Sequence, residues 1–168
     1  MRSLFVGLIY GTLAASVALS MHVIGSSFLG EDPLRLVRVY LSFGLGEQAL
    51  DLPAGPAVAL GCVLYLATGA LLGSVVYLIL AGPLSTWSLP RRALASAAMG
   101  IGMWLLNAYA LLSWVQPLMV GEAWIVDAIP WWLGAVTHLV FVATVFLLAL
   151  PELHALRSEL PREGALAR

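Results

Sequence analysis

Four long apolar segments, none with a charged residue, dominate this sequence of 168 residues. They cover approximately residues 4–28, 57–81, 93–115 and 130–150. About 20 residues of α-helix, at a rise of 1.5 Å per residue, span the hydrocarbon core of a bilayer. Helices also satisfy their own backbone hydrogen bonds in lipid. The sequence therefore predicts an all-α integral membrane protein, a single domain (1–168) of four transmembrane helices.

The overall composition excludes an ordinary soluble fold. Hydrophobic residues make up 61% of the chain and charged residues 10%, whereas soluble domains carry roughly 25% charged residues. A soluble domain of about 150 residues buries only about 70% of its unfolded surface, so much of this apolar surface has to face lipid or partner subunits. The net charge of −1 offers no field that would attract nucleic acid.

The positions of the arginines orient the predicted helices. Six of the eight basic residues lie at the N-terminus, between the second and third helices, or after the fourth: Arg2, Arg91, Arg92, Arg157, Arg162 and Arg168. The positive-inside rule assigns this side of the membrane to the cytoplasm. We therefore expect a multi-pass protein of a bacterial inner membrane with both termini, including the tail 151–168, in the cytoplasm.

The first outer connection contains a candidate amphipathic helix. Leu34, Val37 and Leu41 recur at helical spacing, and Asp32–Pro33 suits the start of a helix. Glycines near 44–46 are expected to end it. An amphipathic helix of this length is predicted to lie in the membrane interface of the first periplasmic loop.

The second outer connection, Pro117–Asp127, is shorter and also apolar. We expect both connections to cap the outer end of the bundle. Tryptophans cluster near this end, where they suit an interfacial aromatic belt: Trp114, Trp124, Trp131 and Trp132.

Two histidines are the candidate ligands for a cofactor. His22 is predicted ~9 Å below the outer end of the first helix, and His138 ~12 Å below that of the fourth, at 1.5 Å per residue. Similar depth on different helices would suit a b-type haem held between the two imidazoles. Two other interpretations stay open: interhelical hydrogen bonds, or contact with a quinone or lipid headgroup. The sequence offers no acidic pair and no nucleophile–base arrangement, so we expect no enzymatic activity.

Small residues recur one helical turn apart in the two central segments. Gly69 and Gly73 are four residues apart in the second, and Ser96 and Gly100 in the third. Such spacing favours close helix packing, either inside the bundle or against a partner helix. Asn107 in the third segment is expected to hydrogen-bond to another helix, because an amide facing lipid is unfavourable.

Short motifs stand near helix starts and centres: Gly7, Gly11 and Thr12 in the first segment, Thr68, Gly69 and Gly73 in the second, and Pro130, Trp131 and His138 in the fourth. They resemble the motifs of small uncharacterised four-helix proteins of bacterial inner membranes. The chain departs from that pattern at Val142, where a glycine is expected. The resemblance implies a fold and no particular activity.

We expect a non-catalytic accessory subunit of a larger membrane complex, such as a respiratory or photosynthetic electron-transfer assembly, with bound lipids. The alternatives are an electron-transfer subunit that binds haem b through His22 and His138, and a small homo-oligomeric transporter or lipid-handling protein.

Overall fold

The computed structural model describes residues 2–121 and 129–166, with the side chains of 3–121 and 129–154. This part of the chain contains five helices, a short 3-10 helix (Gly46–Asp51) and no strand. The helices are α1 (Arg2–Phe28), α2 (Arg35–Leu45), α3 (Pro56–Ala81), α4 (Leu89–Val120) and α5 (Trp131–Leu166). Four of them, all except α2, are long and apolar enough to cross a membrane. The predicted all-helical class and the number of apolar helices are thus confirmed.

Two helices extend beyond the segments that hydropathy marks. α4 starts at Leu89 and continues to Val120, so it exceeds the predicted 93–115 at both ends. α5 continues through Pro151 to Leu166, into the predicted tail. Residues 122–128 lie outside the described residues. They include Trp124 and most of the second outer connection, which were predicted to contribute to the aromatic belt and the outer cap. Arg168 also lies outside the described residues.

The outer part of α4 is wound more widely than an α-helix. Leu106–Val115 is π-helical and is followed by an α-helical turn, Gln116–Val120. Pro117 stands in that turn and has no N–H to donate, and a proline ring inside a regular α-helix would collide with the carbonyl one turn back. The π-helical stretch thus ends just before this proline. The Ser113 hydroxyl accordingly donates to the carbonyl five residues back, on Ala108, at 2.7 Å.

α1 and α3 touch through their backbones. A Cβ added at Gly73 would overlap the Cα of Gly11, and one added at Gly69 would overlap the Cβ of Ala15. A Cβ at Gly7 would lie 2.7 Å from the Cα of Ser74. Glycines four residues apart on both helices therefore form the close contact that small residues allow between membrane helices.

α5 packs against both α1 and α3, and the main apolar core lies among these three helices. Its fully buried members include Ala14 and Ala18 of α1, Leu80 of α3, and Val142 and Val145 of α5. Val142, the departure from the motif pattern, is thus a core residue. α4 packs mainly on α5 and has few contacts with α3, so a gap separates α3 from α4.

α2 covers one end of this gap. Its Val37 and Leu41 side chains reach Gly61 of α3, where a Cβ would come within 2.6–3.0 Å of them. On its other side, the buried Gln116 of α4 donates a hydrogen bond to Ser42 of α2 at 2.8 Å. The predicted helix in the first connection is present, begins at Arg35 and ends at Leu45, before Gly46 with φ 66°.

At the opposite end of the bundle, Arg92 ties the α3–α4 turn to α5. Its guanidinium donates to the carbonyls of Trp87 at 2.9 Å and of Leu153 at 3.5 Å, and also to that of Ser85. Hydrogen bonds from a buried charged group are among the stronger ones in proteins. This arginine, expected only to orient the chain, also holds α4 to α5.

The glycine contact makes a direct prediction about stability. Gly73→Ala should lower the free energy of unfolding by about 1–3 kcal/mol, because the new methyl group meets the α1 backbone. Gly102→Ala is the matched control, since nothing lies within 4 Å of a Cβ there. Denaturant unfolding in detergent, followed by circular dichroism, measures both. An equal free energy of unfolding for the two variants would contradict the close contact between α1 and α3.

Candidate functional site

The gap between α3 and α4 is a cavity of about 210 Å³ beneath α2. It is lined by α2, α3, α4 and α5, with Ala15 and His22 contributed by α1. Leu72 of α3 and Tyr109 of α4 line the cavity and are also 38% and 60% exposed. The cavity therefore opens between α3 and α4, onto the apolar outside of the bundle.

The cavity wall is rich in aromatic rings. Seven aromatic residues line it: Tyr40, Phe43, Tyr65, Trp104, Tyr109, Trp131 and Phe141. The rings contact one another edge to face, with centroids 5.7 Å apart for Tyr40 and Tyr65 and 6.0 Å for Trp104 and Tyr109. Such contacts add stability beyond burial alone, so they stabilise the packing of the cavity wall.

No formal charge faces the cavity: none of the described residues that line it is Asp, Glu, Lys or Arg. One described ion pair, Arg38 with Asp32, lies at the start of α2, and neither residue lines the cavity. Arg38 also donates to the Leu52 carbonyl at 2.8 Å. A charged headgroup would lose its hydration here without gaining a counterion, which is costly. The cavity is therefore suited to an uncharged molecule.

His138 and Asn107 form a polar pair between α5 and α4. The His138 Nδ1 lies 2.7 Å from the Gly134 carbonyl. A carbonyl only accepts, so Nδ1 carries the proton and the neutral ring leaves Nε2 as an acceptor. Nε2 lies 3.3 Å from the Asn107 amide nitrogen, which donates to it. The expectation that Asn107 bonds another helix fits this geometry, and the amide keeps a second N–H.

Tyr40 and Thr68 form a second polar pair, between α2 and α3. The Tyr40 hydroxyl donates to the Thr68 hydroxyl oxygen. Sequence reasoning missed this pair, although one signal pointed to it: a tyrosine within an apolar helix face needs a partner for its hydroxyl. Burial also raises the pKa of Tyr40, so this phenol stays neutral at physiological pH.

His22 lines the same cavity from α1. It is only 4% exposed, and its Nε2 lies 3.4 Å from the Ser26 hydroxyl one turn further along the helix. The structure thus brings His22 and His138, predicted at similar depth, to the wall of one cavity. A porphyrin is larger than most drug-sized ligands, whose sites measure about 300–1,000 Å³. Haem would therefore require the helices to separate.

The small residues predicted for packing lie inside the bundle. Gly69 and Gly73 face α1, as described above. Gly100 of α4 faces α5, where a Cβ would lie 3.2 Å from the Cα of Leu139, and Ser96 is buried one turn before it. These four positions therefore lie at contacts between the chain's own helices.

Cys62 is half-buried on α3 and is a free thiol. Among the described side chains, no three of the types His, Cys, Asp and Glu come together as a metal site would require. Comparison with known proteins produced no match to a family model, a curated protein or a solved structure. The roles of the cavity residues therefore follow from their geometry alone.

Proposed function

We propose that this chain is a non-catalytic, lipid-handling membrane protein that binds an uncharged amphipathic molecule of the bilayer. The observation that supports this proposal best is the neutral, aromatic cavity with two hydrogen-bonding pairs at its wall. Binding sites for small molecules are typically apolar pockets with a few placed polar groups. The opening between α3 and α4 would let such a molecule move sideways from lipid into the cavity.

The volume limits what the cavity holds. An apolar protein cavity of about 150 Å³ has room for benzene, so 210 Å³ has room for one substituted ring or a headgroup of similar size. A complete lipid does not fit. The apolar tail of a bound molecule would then pass Leu72 and Tyr109 and remain in the bilayer.

The proposed orientation places the cavity in the outer half of a bacterial inner membrane. Arg91 and Arg92 stand at the end of the bundle away from α2, and the positive-inside rule favours the cytoplasm for that end. The cavity and α2 would then lie on the periplasmic side, with α2 in the interface.

The lipid-handling proposal predicts that a neutral amphipathic molecule co-purifies with the chain. Ala108→Phe should remove most of it, because Ala108 lines the cavity and the larger ring fills the space. Ala110→Phe is the matched control, since Ala110 is exposed on the same π-helical segment. Mass spectrometry of solvent extracts from the purified proteins measures the bound amount.

Two results would contradict the lipid-handling proposal: no neutral amphipathic molecule bound to the wild-type protein, or equal bound amounts on Ala108→Phe and Ala110→Phe. A visible absorption spectrum of the same wild-type sample tests whether haem is bound. A reduced α-band that is lost in His22→Ala and His138→Ala would favour the haem alternative instead.

The orientation predicts which side of the membrane reacts with a thiol reagent. In a Cys62→Ala background, Gln48→Cys should react with a membrane-impermeant maleimide on intact spheroplasts, and Thr86→Cys should not. Both positions are exposed in the structure, so a difference between them reports the side of the membrane. Labelling in the opposite pattern would reverse the orientation.

A role as an accessory subunit of an electron-transfer assembly remains a second proposal, favoured by the exposure of α4. Only 11% of its most apolar window is buried, against 28–33% for the other three apolar helices. If a partner subunit covers α4, mild detergent extraction should recover the chain in fixed stoichiometry with larger subunits. Recovery as a lone monomer would contradict it.

A further inference from the structure

The two polar pairs constrain the chemistry of the ring or headgroup that the cavity accepts. Thr68 and Asn107 stand on α3 and α4, the two helices that the cavity separates. Each belongs to a hydrogen-bonded pair, with Tyr40 and with His138 respectively. The ring or headgroup of a bound molecule would therefore meet polar side chains on two sides, one from α3 and one from α4.

The hydroxyl of Thr68 is unusual among the helical threonines. Thr12, Thr137 and Thr144 each donate to the carbonyl four residues back, at 2.7–2.9 Å, which is the ordinary arrangement in membrane helices. Within the described structure Thr68 makes no such bond, and its oxygen instead accepts from Tyr40. Its own O–H is consequently left to donate to something else.

Asn107 supplies a matching donor on the other side. An amide nitrogen carries two N–H groups, and one of them is directed to His138 Nε2. Because His138 Nδ1 is held by the Gly134 carbonyl at 2.7 Å, the ring cannot turn to release Nε2 without breaking that bond. The second N–H of Asn107 is therefore the one available to an occupant.

We infer that the occupant is an isoprenoid quinone, a planar, uncharged ring with two carbonyl acceptors on opposite sides and an apolar tail. Thr68 and Asn107 would each donate to one carbonyl. The aromatic wall provides flat faces for the ring, and the opening by Leu72 and Tyr109 leaves the tail in lipid. This inference rests on the proposed function and narrows it, since a sterol-like alcohol or a diacylglycerol does not offer two opposed carbonyls on one ring.

The test compares two probes that share a tail. Decyl-ubiquinone carries the substituted quinone ring, whereas decylbenzene carries a plain six-membered ring with no oxygen atom. Native mass spectrometry of the wild-type protein released from detergent should show one decyl-ubiquinone per chain, bound at least tenfold more tightly than decylbenzene. Tenfold corresponds to about 1.4 kcal/mol, within the range of one or two buried hydrogen bonds.

Variants then locate the donors. Thr68→Val and Asn107→Leu should each weaken decyl-ubiquinone binding about fivefold to tenfold, and decylbenzene binding should change little. Thr144→Val is the matched control, because its hydroxyl bonds to its own helix at Val140, away from the cavity, and it should bind both probes as the wild type does.

The outcomes separate the two proposals. Equal binding of both probes to the wild type, or unchanged quinone binding in Thr68→Val and Asn107→Leu, would overturn the quinone inference and leave a general amphipathic site. Binding of neither probe, together with a neutral lipid in the solvent extract, would also overturn it while the proposed function stands. Binding of neither probe with no extracted molecule would overturn both.

Discussion

The backbone contact between α1 and α3 is the interaction on which the other features of this fold depend. Because Gly11 and Gly73 carry no side chain, the two helices approach until their backbones meet. The pair then presents one continuous apolar surface, and α5 covers it with Val142 and Val145. α4 then packs mainly on α5, held to it at one end by Arg92 and to α2 at the other end by Gln116. The space between α3 and α4 follows from that arrangement.

The same arrangement explains why polar side chains are tolerated near the cavity. An amide or hydroxyl without a partner in hydrocarbon costs several kcal/mol, whereas interhelical hydrogen bonds in membranes contribute only about 1 kcal/mol each. Pairing is therefore needed chiefly to avoid a penalty. Asn107 with His138 and Tyr40 with Thr68 meet that need with one bond each. The proposed ligand would use the donors that these bonds leave.

Much of the architecture could be predicted from hydropathy because crossing a bilayer imposes a length and forbids charge. The bounds of α1 and α3 agree with the predicted segments to within two residues, and the glycine spacing on α3 indicated close packing. The cavity could not be predicted, because hydropathy does not say which helices become neighbours. Hydropathy also does not reveal the π-helical stretch before Pro117. Thr68 resembled any threonine that bonds to its own helix. The two histidines were identified, but their common cavity depends on the packing of α1 and α5.

A crystal structure of the protein grown from a lipidic mesophase tests the central claim most directly, which is that α3 and α4 stay apart and admit a molecule from the bilayer. We expect flat electron density between Thr68 and Asn107, with a tail leading out past Leu72. Direct packing of α3 on α4 that closes the cavity, or a charged headgroup within it, would contradict the account.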